Sequence, residues 1–208
     1  RTAHYISGTS SATHGYSSGG GAVVSKIIDK FTFSADADAT NVGELTVAKV
    51  GASGSSSSTD MYTNGGIVLG AYTTIIDKNN YATDGNSTDV GDLTIARGNT
   101  AGQSSNTHSY TSGGYAIPAL NIIERFPFAS DGNTTDIADL TAGRYACAGN
   151  SSITHGYTSG GAPSVDIIDK FKFSSTANAT DVGNLTSGRR YVDGASSTTH
   201  GYSAGGSP

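Results

Sequence analysis

Four histidines hold the same place in a repeated string: His14, His108, His155 and His200 each follow a threonine and stand two residues before a tyrosine. Neutral imidazole is a common transition-metal ligand, so four such rings converging on one axis would form a metal-binding ring. Asp60 replaces the histidine of the second unit, and metal ligands need convergent placement with supporting groups. The expectation is that each histidine bonds a strand or loop within its own unit.

Oxygen-bearing side chains also alternate in four Asp/Asn-rich turns, as they do in calcium loops. The weak calcium candidates are Asp84, Asn86, Asp131 and Asn133. These turns lack a terminal bidentate Glu, the last copy begins with Thr176 instead of an acid, and Asx and Ser/Thr side chains cap turns without any ion. No cofactor is expected, calcium being the single ion left open.

Acid–base pairs recur as well. Asp29, Asp77, Glu124 and Asp169 each precede a base, Lys30, Lys78, Arg125 or Lys170. Even repetition points to cross-strand or interblade ion pairs more than to catalysis. No Gly-x-Ser-x-Gly elbow occurs, and abundant Ser and His do not make a triad. Cys147, the one cysteine, excludes an internal disulfide and a CxxC site. In Tyr-Ala-Cys-Ala-Gly it reads as a small buried residue, not a nucleophile. No catalytic residue is assigned, and the chain is not expected to be an enzyme. Asn-x-Ser/Thr triplets at Asn86, Asn133, Asn150, Asn178 and Asn184 arise readily in sequence this rich in Asn, Ser and Thr.

The elements that must position these groups follow from a repeat. Thr-His-Gly-Tyr-x-x-Gly-Gly or a variant brings Tyr16, Tyr62, Tyr110, Tyr157 and Tyr202 round every 45 to 48 residues. Such a period points to a stack or ring of similar units, whose function usually comes from a shared surface. Each unit has three blocks. The Tyr-Gly-Gly block reads as one or two short strands ended by glycines that permit positive φ or close backbone approach. The Ile-Ile-Asp-Lys-Phe-x-Phe block, at 27–33, 75–81, 122–128 and 167–173, is the clearest strand. Its period of two puts Ile27, Asp29, Phe31 and Phe33 on one face and Ile28 with Lys30 on the other. Apolar weight on both faces suits a sheet packed between two others. The third block runs through a turn to Leu45, Leu93, Leu140 or Leu185, with Lys49, Arg97, Arg144 or Arg189 four residues on. No stretch sustains a 3.6-residue apolar period, so almost no helix is expected.

Composition narrows the partners. Charged residues are 14% of 208, 29 residues are glycine and the net charge is -5, so the surface should be neutral and hydroxyl-rich. Clustered Lys and Arg for nucleic acid or an anionic membrane are absent, and no apolar run reaches the ~20 residues of a membrane span. The expected partners are a neutral glycan and other subunits of an assembly, without nucleic acid or membrane insertion, in a homo-oligomer.

Several short strands per unit of this length fit the blade of a β-propeller. The order basic residue, Tyr, diglycine, aromatic strand, turn, Leu, basic residue resembles a Kelch repeat. The resemblance runs through Gly19, Gly20, Gly160 and Gly161, through Phe31, Phe126 and Phe171, and through Arg97, Arg144 and Arg189. The chain has no Trp, where a Kelch blade usually carries one. The wording of the repeats is also similar to arrays in virion and tail proteins of bacteriophages, which implies a structural or host-attachment role in a virion or outside the cell and no catalytic residues.

The predicted fold is therefore an all-β repeat domain over 1–208, propeller-like with about four and a half blades. An open solenoid, or a propeller completed by further repeats, is the alternative. Its units are a partial repeat at 1–20 and repeats at 21–66, 67–114, 115–161 and 162–206. The Tyr-Gly-Gly block occurs five times and the Ile-Ile-Asp block four, so both ends offer the same half-unit, which makes simple closure difficult. The start at Arg1, without Met, reads as part of something longer. The predicted function is a non-catalytic structural or binding scaffold, with a self-assembling coat or filament subunit as the alternative. The candidate ligand-binding residues are Tyr5, Tyr115, Tyr145 and Tyr191, which break the repeat pattern. The Tyr16 set is assigned to packing.

Overall fold

The computed structural model describes residues 5–21 and 24–208. The first four residues of the predicted half-unit 1–20, and residues 22 and 23 of the next unit, lie outside the described residues. Among those described there is no helix, and four antiparallel sheets of four strands make up most of the chain. Blade 1 holds β1 (Ser7–Ser10), β2 (His14–Ser18), β3 (Ile27–Thr32) and β4 (Thr40–Glu44). In blade 2, β5 (Ser53–Ser56) and β6 (Asp60–Asn64) lead through a small hairpin, β7 (Ile67–Val68) and β8 (Ala71–Tyr72), to β9 (Ile75–Asn80) and β10 (Thr88–Asp92). Blade 3 is β11 (Ala101–Ser104), β12 (His108–Ser112), β13 (Ile122–Pro127) and β14 (Thr135–Asp139). Blade 4 is β15 (Ala148–Ser151), β16 (His155–Ser159), β17 (Ile167–Lys172) and β18 (Thr180–Asn184). A last hairpin, β19 (Arg190–Ser196) and β20 (Gly201–Ser207), forms the inner half of a fifth blade.

Each sheet is a meander from an inner to an outer strand. The predicted Ile-Ile-Asp strand is its third member, and its period of two works as expected. In β17, Asp169 and Phe171, with Phe173 just beyond it, face back onto blade 3, where Tyr110 lies 5.6 Å from Phe171 and stacks on Phe173 at 4.6 Å. In β3 the opposite parity, Ile28, packs with Leu45 and Tyr16 against Met61 of blade 2. The core is thus a series of aromatic and aliphatic layers between sheets. The outer strand pairs with a register shift, Ile28 opposite Gly43 but Asp29 opposite Asn41, so Val42 is an extra residue that bulges and leans into the same cluster.

The diglycine ends the second strand for a definite reason. Gly113 and Gly114 have φ of 61° and 106°, a region that non-glycine residues rarely enter. This turn aims their successive N–H groups at the Ile122 and Arg144 carbonyls, at 2.9 Å each. Glycine is also required where inner strands approach. A Cβ on Gly102 would collide with the Gly54 carbonyl, one on Gly149 with that of Gly102, and one on Gly194 with that of Gly149. A Cβ on Gly8 would meet nothing within 4 Å. Inner strands pack as β1 on β5, β5 on β11, β11 on β15 and β15 on β19, and no comparable packing joins β19 to β1 among the described residues. The blades follow one another round an axis, and the first and last units meet at the Tyr5 and Tyr191 rings.

Candidate functional site

Most side chains with chemical potential are committed to the junctions between blades. In blades 2, 3 and 4 the acid of the Ile-Ile-Asp strand reaches the base that closes the preceding unit, and not its neighbour in sequence. Lys49 Nζ is 2.9 Å from Asp77, Arg97 is 2.6 Å from Glu124 and Arg144 is 3.0 Å from Asp169, with every one of these side chains at 1% exposure or less. Burial pulls Lys49 and Arg97 below their usual values, and the facing carboxylate pulls each back up. Thr46, Thr94 and Thr141 add a hydroxyl bond to the same acids, at 2.6, 2.6 and 2.8 Å.

The bases beside those acids face the next blade. Both Asp84 carboxylate oxygens lie 3.0 Å from Lys30 Nζ. Asp131 accepts from Lys78 at 2.9 Å and from the Tyr62 hydroxyl at 3.0 Å. Asn86 and Asn133 accept backbone N–H bonds from Glu44 and Asp92 of the preceding blade, at 3.1 and 3.0 Å. All four calcium candidates therefore bond across blade junctions, Asp84 and Asp131 to a lysine ammonium and Asn86 and Asn133 to backbone N–H groups. Among the described residues no group of three His, Cys, Asp or Glu side chains is placed to hold a metal ion.

The histidines lie in separate blades. The Nδ1 atoms of His14, His108 and His155 are each 2.8 Å from the hydroxyl of the preceding threonine, and His200 repeats this at 2.9 Å. Burial, helped by Arg125 or by Lys170 and Lys172, lowers the His108 and His155 values. Asp60 is bonded within its own blade by Asn80 at 2.9 Å and Thr59 at 2.6 Å, and Asn79 donates to the Gly85 carbonyl. Cys147 is buried, and burial pushes its thiol up to about 12.

What remains uncommitted lies along the axis. The inner strands of all five units line a cavity of about 970 Å³. Two belts of hydrogen bonds run round it. Where the inner strands begin, the Gly51 N–H donates to the Tyr5 carbonyl, Asn99 to Gly51, Ala146 to Asn99 and Tyr191 to Ala146, at 2.6 to 2.9 Å. All five of these residues have φ between 54° and 64°, Tyr5 at 54° and Tyr191 at 57° among them. Further along, the N–H groups of Ser56, Ser104 and Ser151 donate to the hydroxyl of the equivalent serine one blade on, at 2.9 to 3.0 Å.

This architecture has a counterpart among solved structures: YjhT is similar over 93% of this chain and 70% of that one, with a TM-score of 0.79 at 12% identity. The chain is a β-propeller. The likeness concerns the fold alone. No family model matches the sequence, and no curated protein matches it.

The predicted ligand-binding tyrosines gather at one face of this propeller, where the inner strands begin. Tyr5 and Tyr191 occupy equivalent places in the first belt, with ring centroids 5.5 Å apart, and are 53% and 43% exposed at the channel mouth. Tyr145, one residue before Ala146 of that belt, has its ring 4.9 Å from Tyr115. Tyr72, on the blade 2 hairpin, extends this pair at 6.1 Å from Tyr115. Partial burial and the two neighbouring phenols raise the Tyr72 value. Sequence reasoning passed over Tyr72, although it too stands outside the repeat. It also missed Asn99, whose place in the belt shows only once the strands are in register.

Proposed function

We propose that the chain is a non-catalytic binding scaffold that recognises a neutral glycan through its tyrosine face. The observation that carries this reading is the presence of two clusters of tyrosines outside the repeat, Tyr5 with Tyr191 in the channel lining and Tyr115 between Tyr72 and Tyr145. Aromatic faces stack on sugar rings, while hydroxyl and amide groups supply hydrogen bonds. The neighbouring lining offers Asn99, Thr100 and serine hydroxyls, with Asp193 as its one acid, and the Arg190 guanidinium lies 5.9 Å from the Tyr191 ring centroid. The Kelch-like order of residues and the similarity of the repeats to virion and tail arrays agree with a scaffold displayed on a virion or outside the cell, as a host-attachment component. Binding of the intact chain to a glycan array tests this. Retention of one neutral glycan class, lost in Tyr115→Ala and Tyr145→Ala variants that melt as the parent does, is expected. No binding to any glycan would refute the reading.

A second reading, a self-assembling coat or filament subunit, is favoured by one observation. Phe31 and Phe33 on blade 1 are 43% and 56% exposed, whereas their counterparts Phe126, Phe171 and Phe173 are buried against the preceding blade. Light scattering at low concentration separates the readings: persistent high-order particles support assembly, and a monomer supports the binding scaffold.

A further inference from the structure

Eight non-glycine residues among those described have φ in the left-handed region. Six of them have a visible reason. Tyr5, Asn99, Ala146 and Tyr191 form the hydrogen-bonded belt where the inner strands begin, and Asp84 and Asp131 turn the outer hairpins so that their carboxylates meet Lys30 and Lys78. The other two are Leu69, at φ 49°, and Ile117, at φ 65°. A side chain with a Cβ is strained in that region, a β-branched one most of all. The Leu69-Gly70 turn that joins β7 to β8 has positive φ at both central residues, the geometry that favours Asn-Gly. Leu69 and Ile117 are also the most exposed large hydrophobic residues among those described, at 89% and 77%. Strained backbone thus holds two aliphatic side chains out in water, at places where asparagine would fit with less strain.

Both residues lie in connections between the second and third strands, in the adjacent blades 2 and 3, at the end of the sheets where the inner strands begin. Tyrosines stand at the feet of these connections. Tyr72 pairs with Ile67 at the base of the Leu69 hairpin, and Tyr115 bridges Gly98 and Ala119 at the base of the Ile117 loop. Their rings are 6.1 Å apart, and Tyr145 lies 4.9 Å beyond Tyr115. Residues 66–74 and 113–121 contain no charged side chain. Exposed aliphatic tips on a half-buried tyrosine base match the passage from acyl chains to headgroups, the level at which Tyr is enriched in membranes.

We propose that this face rests on an uncharged membrane surface, with Leu69 and Ile117 entering the acyl boundary and Tyr72, Tyr115 and Tyr145 at headgroup level. Charge selects the lipid. A chain of net charge -5 whose contact loops carry no base gains nothing from anionic headgroups, so the surface is zwitterionic or neutral. A protein partner or a second copy would need a fitted patch of about 800 Å² on each side, whereas a bilayer receives isolated protruding side chains without complementary pits. The contact lies on the membrane and needs no spanning segment. It goes beyond the glycan reading and does not rest on it, since the tips and plain lipid suffice.

The chain has no Trp, so Leu69→Trp and Ile117→Trp each install a single reporter. With vesicles of dioleoylphosphatidylcholine, both should shift to bluer emission and be quenched by brominated acyl chains. Ile153→Trp, at a position 75% exposed in the turn between β15 and β16 at the opposite end of the inner strands, should keep its emission in water. Leu69→Asn combined with Ile117→Asn relieves the backbone, so this double variant should melt no lower than the parent and yet sediment with the vesicles at least about tenfold more weakly. Phosphatidylserine in the vesicles should not strengthen binding. Reporters at 69 and 117 that stay in water at every lipid concentration would overturn the proposal. So would an equal shift at 153, a double variant that binds like the parent, binding that rises with phosphatidylserine, or self-association that shields both reporters without lipid.

Discussion

Glu124 sets the terms at the scale of single residues. It takes the Arg97 guanidinium at 2.6 Å and two threonine hydroxyls, Thr94 and Thr134, at 2.6 and 2.8 Å, with no exposure of its own. Removing one partner of a buried pair leaves the other charge desolvated, at a cost of about 3–5 kcal/mol. Glu124→Gln should therefore lose that much in urea unfolding, whereas Glu44→Gln, whose pair with Lys26 is exposed, should lose under about 1 kcal/mol. The repetition of these acids and bases, and interblade ion pairing as its reason, were legible in the sequence. Which base meets which acid was not, because the partner of Asp77, Glu124 or Asp169 lies at the end of the preceding unit.

Titration belongs to the same scale. Burial raises the Cys147 thiol from 9.0 and the Tyr81 phenol from 10.0, each to about 12. Raised values mean that the folded state favours the neutral forms. Their stabilisation is complete below the ordinary values and is lost as pH rises through about 12. Thermal stability should therefore fall off between about pH 9 and pH 12, and Cys147 should resist a thiol reagent at pH 8 until denaturant is added. A thiol that reacts at once in native buffer would contradict its burial.

At the scale of elements, the inner strands depend on backbone proximity. Gly102 and Gly149 lie against a neighbouring carbonyl, but Gly8 faces open space. Gly102→Ala should cost about 1–3 kcal/mol through overpacking, and Gly8→Ala should stay within about 0.5 kcal/mol. Equal losses from the two would mean that the first inner strand is packed like the third. The third strand of each blade was readable from its alternating Ile, Asp and Phe. The inner strands, written in Ser, Gly and Thr, gave a weaker signal because inter-strand hydrogen bonds and close approach hold them, with little apolar alternation. The bulge at Val42 was hidden too, since the turn residues before it do not reveal which one lacks a cross-strand partner.

At the scale of the molecule, five copies of one block against four of another already implied an unfinished blade. The structure shows where it is: β19 and β20 stand on blade 4 without an outer half among the described residues. Of the tyrosines that break the repeat, Tyr5 and Tyr191 line the channel and Tyr115 pairs with Tyr145. Their grouping depends on the blade order, which no local spacing contains. The repeated interface implies graded stability, with strands paired on both edges opening last.

Native-state hydrogen exchange resolved by residue tests that graded architecture most directly. The Tyr157 and Thr158 amides of β16 should exchange only through global unfolding, and those of Tyr202 and Ser203 in β20 through local opening, at least about a hundredfold faster. Equal protection of the two strands would mean that the fifth unit is already complete, and would contradict a propeller of four blades and a half.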